Sequence, residues 1–289
     1  MASSRVFLLT AVALIAFAAN SVLCRLALDA YATDPAGFSV LRLASGAGAL
    51  LLIVSFLNRS ESRSIKWVLR AGEWRASVFL AIYVLGFSFA YITLDAGIGA
   101  LILFSTVQLT MVLAALYQGE RPSIIEWLGW LLAIVGFVVL VTPGASAPSL
   151  LGLSLMVIAG VAWAGYTLRG RGETQPLLAT AGNFVLATGM VILPCLFLLE
   201  FEHLSWQGVA LALVSGVIAS GAGYAIWYAV LPYMTTVRAA LVQLSVPVLA
   251  AVGGVSFIDE PISARFMLSC VLVLSGIALA IGYKSSSKA

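Results

Sequence analysis

Residues 120–136 read ERPSIIEWLGWLLAIVG, and residues 260–276, 140 positions later, read EPISARFMLSCVLVLSG. Each stretch opens with an acidic turn and continues into an apolar run, and the shift places Gly136 on Gly276. This agreement between two distant stretches indicates that the second half of the chain repeats the first.

The repeat extends to the start of each half, where residues 17–25 align with residues 163–171 at a shift of 146. Each half is long enough for about five helical membrane spans. Because an odd number of spans inverts the second copy in the membrane, we predict an inverted repeat. Inverted repeats are typical of transporters that expose a central site alternately to the two sides.

Composition places this chain in a membrane. Of its 289 residues, 62% are hydrophobic and only 9% are charged, and the mean hydropathy is +1.09. A soluble domain carries about 25% charged residues. The apolar runs do not alternate with polar residues, so the spans are predicted to be helices, which satisfy their own backbone hydrogen bonds.

We therefore predict an all-α membrane protein in one transmembrane domain, 1–289, with inverted five-helix repeats at 5–142 and 150–283. The longest connection, at about 58–75, is polar and basic. The ten predicted spans cover roughly residues 5–28, 35–57, 76–94, 98–117, 124–142, 150–169, 177–199, 207–230, 236–257 and 262–283.

Orientation follows from the basic residues, which concentrate in cytoplasmic loops. With the N-terminus inside, twelve of the fifteen basic residues face the cytoplasm, and so does the C-terminus. These are Arg5, Arg59, Arg63, Lys66, Arg70, Arg75, Arg121, Arg169, Arg171, Arg238, Lys284 and Lys288.

The first span has features of a secretory signal peptide, because Arg5 precedes an apolar stretch and Ala30-Tyr31-Ala32 resembles a cleavage site. Cleavage there would leave nine spans and destroy the match between the halves. We therefore interpret this segment as a membrane span.

Few residues suit catalysis or metal binding. The three cysteines are far apart, and the single histidine, His203, lies in a short polar loop. An enzyme acting on lipids would need a nucleophile with a base, or a metal cluster. We expect no enzyme activity, cofactor, metal or nucleic-acid partner. A passive pore is disfavoured by the aromatic bulk in the spans.

Aromatic residues at four-residue spacing in the third span predict one ring-lined helix face: Phe79, Tyr83, Phe87 and Tyr91. Packing alone would explain such a stripe. The buried phenol groups need partners, however, and favour a wall of a substrate site.

The repeat aligns Phe17 and Asn20 in span 1 with Trp163 and Tyr166 in span 6. Asn20 must either hydrogen-bond a neighbouring helix or face a wet cavity, because an unpaired amide at this depth is costly. Span 8 adds Tyr224. We predict that these five side chains contact the substrate.

Two further amides, Gln108 in span 4 and Gln243 in span 9, are candidates for the same site. Pro247 cannot hydrogen-bond the Gln243 carbonyl four residues earlier, so a helix break there would create a polar patch. A simple kink filled by a neighbour explains Pro247 equally well.

Arg42 is the one basic residue well inside a predicted span. It could hold a substrate carboxylate, reach the headgroups, or pair with Asp29 or Asp34. No Asp or Glu lies near the middle of any predicted span, so a proton-coupled exporter of cations is disfavoured. This pattern favours a neutral or zwitterionic substrate moving down its own gradient, and proton coupling through a carboxylate near the end of a span is the alternative.

The chain resembles the drug/metabolite transporter superfamily and, within it, the ten-span EamA branch of metabolite exporters. The resemblance is carried by Phe17-Ala18-Ala19-Asn20-Ser21, by Ala162-Trp163-Ala164-Gly165-Tyr166, and by the segments around Glu120 and from Pro247 to Glu260. The first half has Val107 where the second has Pro247.

This resemblance is greatest to bacterial aromatic amino acid exporters. It implies export of amino acids with aromatic or large apolar side chains through an aromatic-lined central cavity, from a bacterial inner membrane. A nucleotide-sugar or sugar-phosphate carrier of the same fold is the alternative. That alternative predicts several cationic residues in the cavity, for which only Arg42 and Arg238 qualify.

Overall fold

The computed structural model describes residues 3–57, 65–117, 119, 123–142, 147–170, 173–198, 204–230, 233, 242–243 and 245–286. Several predicted features lie outside these residues. They are the connection at 58–64, the turn residues 120–122, Arg171, His203, Arg238, Lys288 and residues 236–241 at the start of the predicted ninth span.

The described chain is helical, and no strand occurs in it. The first half contains α1 Ser3–Asp29, α2 Pro35–Leu57, α3 Ile65–Ala71, α4 Trp74–Ala90, α5 Ala96–Tyr117 and α6 Ile124–Val141. The second half contains α7 Leu150–Arg169, α8 Pro176–Leu196, α9 Trp206–Val214, the π-helical segment π1 Ser215–Ala222, α10 Gly223–Val230, α11 Val246–Ile258 and α12 Ala264–Ser286.

Among the described residues, seven helices are long and apolar enough to cross a membrane, and α9, π1 and α10 together form one of them. The count becomes eight if α3 and α4, which meet at 85°, form one broken span. The apolar helices α11 and Ala264–Ala280 of α12 are shorter than the others.

Two features differ from the sequence prediction. The connection predicted at 58–75 contains the short helix α3, and the predicted eighth span is not uniformly α-helical. Its centre is the π-helical segment π1, in which backbone bonds join residues five apart instead of four. Such a local change depends on packing against neighbours, so periodicity in the sequence does not reveal it.

Local polar residues begin several helices. Ser123 and Glu126 form a capping box at the start of α6, in which each side chain accepts from the other residue's backbone N–H. Ser149 and Ser205 cap α7 and α9 in the same way through their hydroxyl oxygens. These caps satisfy backbone N–H groups that have no partner inside the helix.

The two stretches that match in the sequence pack against each other along α6 and α12. A Cβ atom on Gly276 would lie 2.5 Å from both the Gly129 carbonyl oxygen and the Ala133 nitrogen. A Cβ on Gly136 would lie 2.7 Å from the Leu272 Cβ. Glycine is therefore required here because the two helix backbones nearly touch.

The turns that follow α5 and α11 share an unusual backbone conformation. Gly119 has φ +86°, and Asp259, 140 positions later, has φ 58°. Both values lie in the left-handed region that commonly ends helices. Asp259 bonds back to the Gly254 carbonyl oxygen and places Glu260 directly beyond the end of α11.

Helices of the first half contact helices of the second half extensively. α2 packs against α8 and π1, α4 against α7 and α8, α5 against α7 and α11, and α1 against π1, α10 and α11. At Gly216 the contact of π1 with α2 is so close that a Cβ would collide with the Arg42 carbonyl oxygen and the Ser45 hydroxyl. These contacts bring the predicted site residues of both halves together.

Candidate functional site

An aromatic cluster lies where α1, α4, α7, α8 and α10 meet. Its rings are in direct contact, and all but the half-buried Trp163 and Trp227 are buried. The cluster consists of Phe17, Tyr83, Phe87, Trp163, Tyr166, Phe184, Tyr224 and Trp227. Six of the aromatic residues that the sequence proposed for the site belong to it: Phe17, Tyr83, Phe87, Trp163, Tyr166 and Tyr224.

Trp163 connects the rings of the two halves. Its ring centroid lies 4.7 Å from that of Tyr83 on α4, 5.4 Å from that of Tyr224 on α10 and 5.5 Å from that of Tyr166 on α7. Tyr224 in turn contacts Phe17 at 5.8 Å. These separations are typical of favourable aromatic pairs.

The predicted aromatic face of α4 is present. Tyr83 contacts Phe87 at 5.4 Å, and Phe87 contacts Tyr91 at 4.7 Å. The Tyr91 hydroxyl donates to the Ala96 carbonyl oxygen at 3.2 Å. At the other end of the stripe, Phe79 packs on Gly165 of α7. Tyr83 and Phe87 therefore lie in the cluster, whereas Tyr91 and Phe79 have packing contacts.

Asn20 of α1 hydrogen-bonds a neighbouring helix. Its Oδ1 accepts from the hydroxyl groups of Ser215 at 2.8 Å and Ser220 at 3.3 Å, and all three residues are buried. Both serines lie in π1, where the i to i+5 pattern helps residues five apart to approach one face. Direct contact of Asn20 with a substrate stays a prediction.

Replacing Asn20 with alanine is expected to reduce transport severalfold, because the two buried serine hydroxyls lose their acceptor and π1 loses its link to α1. The measurement is the transport rate per folded molecule in proteoliposomes, with folded protein counted by size-exclusion chromatography. Unchanged kinetics would assign Asn20 a structural role only.

Arg42 of α2 lies against the cluster and is 2% exposed. Its Nε donates to the Ser220 hydroxyl at 3.2 Å, and its Nη2 donates to the Tyr83 hydroxyl at 3.2 Å. The guanidinium carbon lies 4.8 Å from the Phe87 ring centroid and 5.5 Å from that of Tyr83. Nη1 is buried and has no hydrogen-bond partner among the described residues.

Two of the explanations that the sequence allowed for Arg42 are wrong. Arg42 does not reach the headgroups, because it is buried against the rings. It also does not pair with Asp29 or Asp34. Asp29 pairs with Arg25 at 3.1 Å, and the Asp34 carboxylate caps the Gly37 N–H at the start of α2. No salt bridge joins Arg42 to any carboxylate in the described part of the chain.

An ion cluster joins helices at one end of the bundle. Arg25 Nε lies 3.0 Å from Glu260 Oε1, and its Nη2 lies 3.1 Å from Asp29 Oδ1 and 3.9 Å from Asp95 Oδ1. Arg25 Nη1 also donates to the Tyr91 carbonyl oxygen at 3.1 Å. These contacts connect α1 to the end of α4 and to the turn before α12.

Two carboxyl groups of this ion cluster are perturbed by burial. Glu260 Oε2 accepts from the Ala96 N–H at 2.9 Å, and Oε1 contacts Arg25. Loss of solvent nevertheless raises the pKa of Glu260 above its ordinary value, and it raises the pKa of Asp95 too. Burial therefore outweighs the favourable contacts of both groups.

Cavities lie towards both ends of the bundle. A cavity of about 300 Å³ beside the ion cluster is lined by Asp95, Glu260 and Phe266, among others. A smaller cavity of about 30 Å³ lies at the opposite end, beside the Arg169–Glu73 ion pair, and Tyr166 lines it. This second cavity therefore touches the aromatic cluster, whose rings are themselves packed together.

The remaining predicted site residues are two amides and a proline. Gln108 is half-buried on α5, and Gln243 is half-buried ahead of α11. Pro247 is in the first turn of α11, where a missing backbone N–H is tolerated because no helical partner exists for it. A helix break at Pro247 and a polar patch with Gln243 stay predictions, because residues 234–241 are outside the described chain.

Sequence reasoning did not propose Phe184, Ser215 or Ser220 for the site. Phe184 contacts the Tyr224 ring at 5.6 Å from α8, and nothing near it in the sequence marks it. The serines resemble ordinary small residues for helix packing. Arg42 was recognisable from the sequence as a candidate, because a charged residue inside a predicted span commonly marks a functional site.

Comparison with known proteins gives consistent results. A sequence model described as the EamA-like transporter family matches residues 4–142 and again residues 150–282. An uncharacterized protein of Pseudomonas aeruginosa is 46% identical over 282 residues, covering 96% of this chain and 95% of the relative. A probable amino-acid metabolite efflux pump of Salmonella typhimurium is 26% identical over 199 residues, covering 64% of this chain and 67% of the relative.

The fold also matches a solved structure. One crystal structure aligns with a TM-score of 0.65 at 18% identity, covering 93% of this chain and 96% of the other. At this identity the likeness concerns the fold alone.

Proposed function

This chain belongs to the EamA-like transporter family, and from that premise we propose that it exports small metabolites across a bacterial inner membrane. The proposed substrates are amino acids with aromatic or large apolar side chains. The probable amino-acid metabolite efflux pump of Salmonella typhimurium, which is similar to 64% of the chain, supports amino-acid metabolites as the wider substrate class.

The observation that carries this proposal is the aromatic cluster. Trp163 in the second half contacts Tyr83 in the first, and Tyr224 in the second half contacts Phe17 in the first. A ring-bearing substrate can replace these contacts with contacts of the same kind, so separating the two halves would cost less when a substrate is bound.

We propose ten spans arranged as two inverted five-helix repeats, with both termini in the cytoplasm. The pattern of helix contacts supports this arrangement. In a five-plus-five repeat, each span of the first half has a counterpart five spans later. Exchanging counterparts turns the contact of α4 with α7 into that of α10 with α1, and the contact of α2 with π1 into that of α8 with α4. It also turns the contact of α5 with α7 into that of α11 with α1, and all six contacts occur. The matching left-handed residues Gly119 and Asp259 also support it.

In this arrangement the two halves rock about the cluster, which opens to each side in turn. The Arg25–Glu260 ion cluster would close the outer end, and the Arg169–Glu73 pair would lie at the cytoplasmic end. The small cavity at Tyr166 is then the cytoplasmic approach to the cluster. A nucleotide-sugar or sugar-phosphate carrier has less support, since Arg42 is the single cation in contact with the cluster among the described residues.

Transport tests the function directly. Purified protein in proteoliposomes is expected to release preloaded labelled phenylalanine or tryptophan faster than protein-free vesicles do. The absence of protein-dependent flux for every amino acid would contradict the proposed substrate class.

Topology tests the architecture separately. Tags on the two chain ends are expected to be accessible from the cytoplasmic face only. Tags on opposite faces would contradict an arrangement of two five-span repeats.

A further inference from the structure

Among the residues that the structure describes, Arg42 is a buried charge without a counterion. Its guanidinium is held by two neutral hydroxyl groups and lies near two ring faces, and Nη1 has no hydrogen-bond partner among the same residues. A buried cation is costly unless it is paired, and removal of the cost by deprotonation is not available to arginine. An anion that reached this guanidinium would offset the cost of burying it.

The hydrogen bonds around Arg42 hold the guanidinium in one orientation. Nε donates to Ser220, whose hydroxyl donates to Asn20, and Asn20 also accepts from Ser215. Tyr83 accepts from Nη2 on the other side. Nη1 and Nη2 form the outer end of the guanidinium, and their N–H groups can donate to a planar anion there. Two parallel N–H donors of arginine match a carboxylate.

The same surroundings do not provide for an ammonium group. In the described residues near the guanidinium, no carboxylate is present to pair with a substrate cation, and Arg42 would repel one. Ring faces alone attract a cation weakly compared with a carboxylate pair. A zwitterionic amino acid would therefore gain from its carboxylate and lose from its ammonium.

We propose that Arg42 binds the carboxylate of the substrate and that the site prefers aromatic monocarboxylate anions over the amino acids with the same ring. This inference rests on the proposed function, because it assigns the substrate class of the same cluster. It changes the expectation of a neutral or zwitterionic substrate, since the sequence did not reveal that Arg42 lacks an acidic partner.

Four ligands with the same phenyl ring distinguish the effect of a carboxylate from that of an ammonium group. They are 3-phenylpropanoate with a carboxylate, 3-phenylpropanamide with no charge, phenethylamine with an ammonium group, and phenylalanine with both. Binding to the purified wild-type protein is measured as a shift in thermal denaturation over a concentration series. We expect 3-phenylpropanoate to bind at least about tenfold more tightly than the amide, because the amide carries no negative charge and has one acceptor oxygen instead of two. Phenylalanine is expected between them, and phenethylamine weakest.

The Arg42→Gln variant is expected to bind the propanoate and the amide equally, and Arg42→Lys to retain part of the preference. Arg265→Gln serves as the control and should keep the wild-type ratio, because Arg265 is a half-buried arginine that contacts the Thr142 carbonyl oxygen. The ratio of two affinities is insensitive to a general loss of stability. If Arg42→Gln does not fold, the proposal is tested by the propanoate-to-amide affinity ratios of the wild-type protein and of Arg42→Lys.

Equal binding of propanoate and amide by the wild-type protein would overturn the proposal, as would a ratio that Arg42→Gln leaves intact. Binding of none of the four ligands would overturn this inference, while the flux measurement still decides the proposed function. A carboxylate preference without any flux of phenylalanine or tryptophan would overturn the amino-acid proposal and leave the role of Arg42 standing. Phenylalanine flux without a carboxylate preference would overturn the role of Arg42 and leave the amino-acid proposal standing.

Discussion

Replacing Trp163 with alanine is expected to weaken substrate binding by about thirtyfold, corresponding to about 2 kcal/mol. Trp163 contacts three tyrosine rings and joins the two halves, so its removal takes away one wall of the cluster. The half-buried position of its side chain makes it more accessible to a ligand than the fully buried Phe87. The measurement is the substrate concentration that gives half-maximal efflux from proteoliposomes.

Trp127→Ala provides a matched control. Trp127 pairs with Trp130 at 5.1 Å but lies on α6, away from the cluster, and is 50% exposed. Its substitution removes the same number of atoms and should leave substrate affinity unchanged. If Trp163→Ala lowers the yield of folded protein while transport per folded molecule stays normal, Trp163 is a packing residue and the prediction is wrong.

Replacing Gly276 with leucine is expected to prevent the close packing of α6 and α12 and to leave little folded protein. Even a Cβ atom would lie 2.5 Å from backbone atoms of Gly129 and Ala133, which cannot move aside as a flexible side chain can. Overpacking of a well-packed interior typically costs about 1–3 kcal/mol, and a leucine against a helix backbone is a severe case. The yield of monodisperse protein after detergent extraction measures this effect.

Gly189→Leu on α8 is the control for this substitution. A Cβ at Gly189 meets no atom within 4 Å, and the position is exposed, so the added side chain faces open space. Its yield should equal that of the wild-type protein, since leucine also favours helix more than glycine does. Normal folding of Gly276→Leu would show that α6 and α12 are farther apart than described.

The candidate site was predictable where the repeat supplied a second copy of the signal. Phe17 and Asn20 were proposed together with Trp163 and Tyr166, and all four lie in or beside the cluster. The amides Gln108 and Gln243 had no such support, and their contact with a substrate stays a prediction. Phe184 was missed because a phenylalanine in an apolar helix carries no mark of its neighbours.

The sequence alone determined that the chain is an apolar helical membrane protein with two matching halves. Span length, lack of charge and turn residues are local properties, and local properties can be read along the chain. The prediction of orientation rests on the same local information, because the distribution of lysine and arginine in loops sets it.

Only the tertiary structure decided which faces of the helices meet. In lipid both faces of a span can be apolar, so periodicity does not distinguish the face towards the protein from the face towards the membrane. Arg42 shows the consequence, because its hydrogen-bond partners Tyr83 and Ser220 lie 41 and 178 residues away. Whether that charge was paired depended on contacts between distant helices, which the order of residues along one helix does not specify.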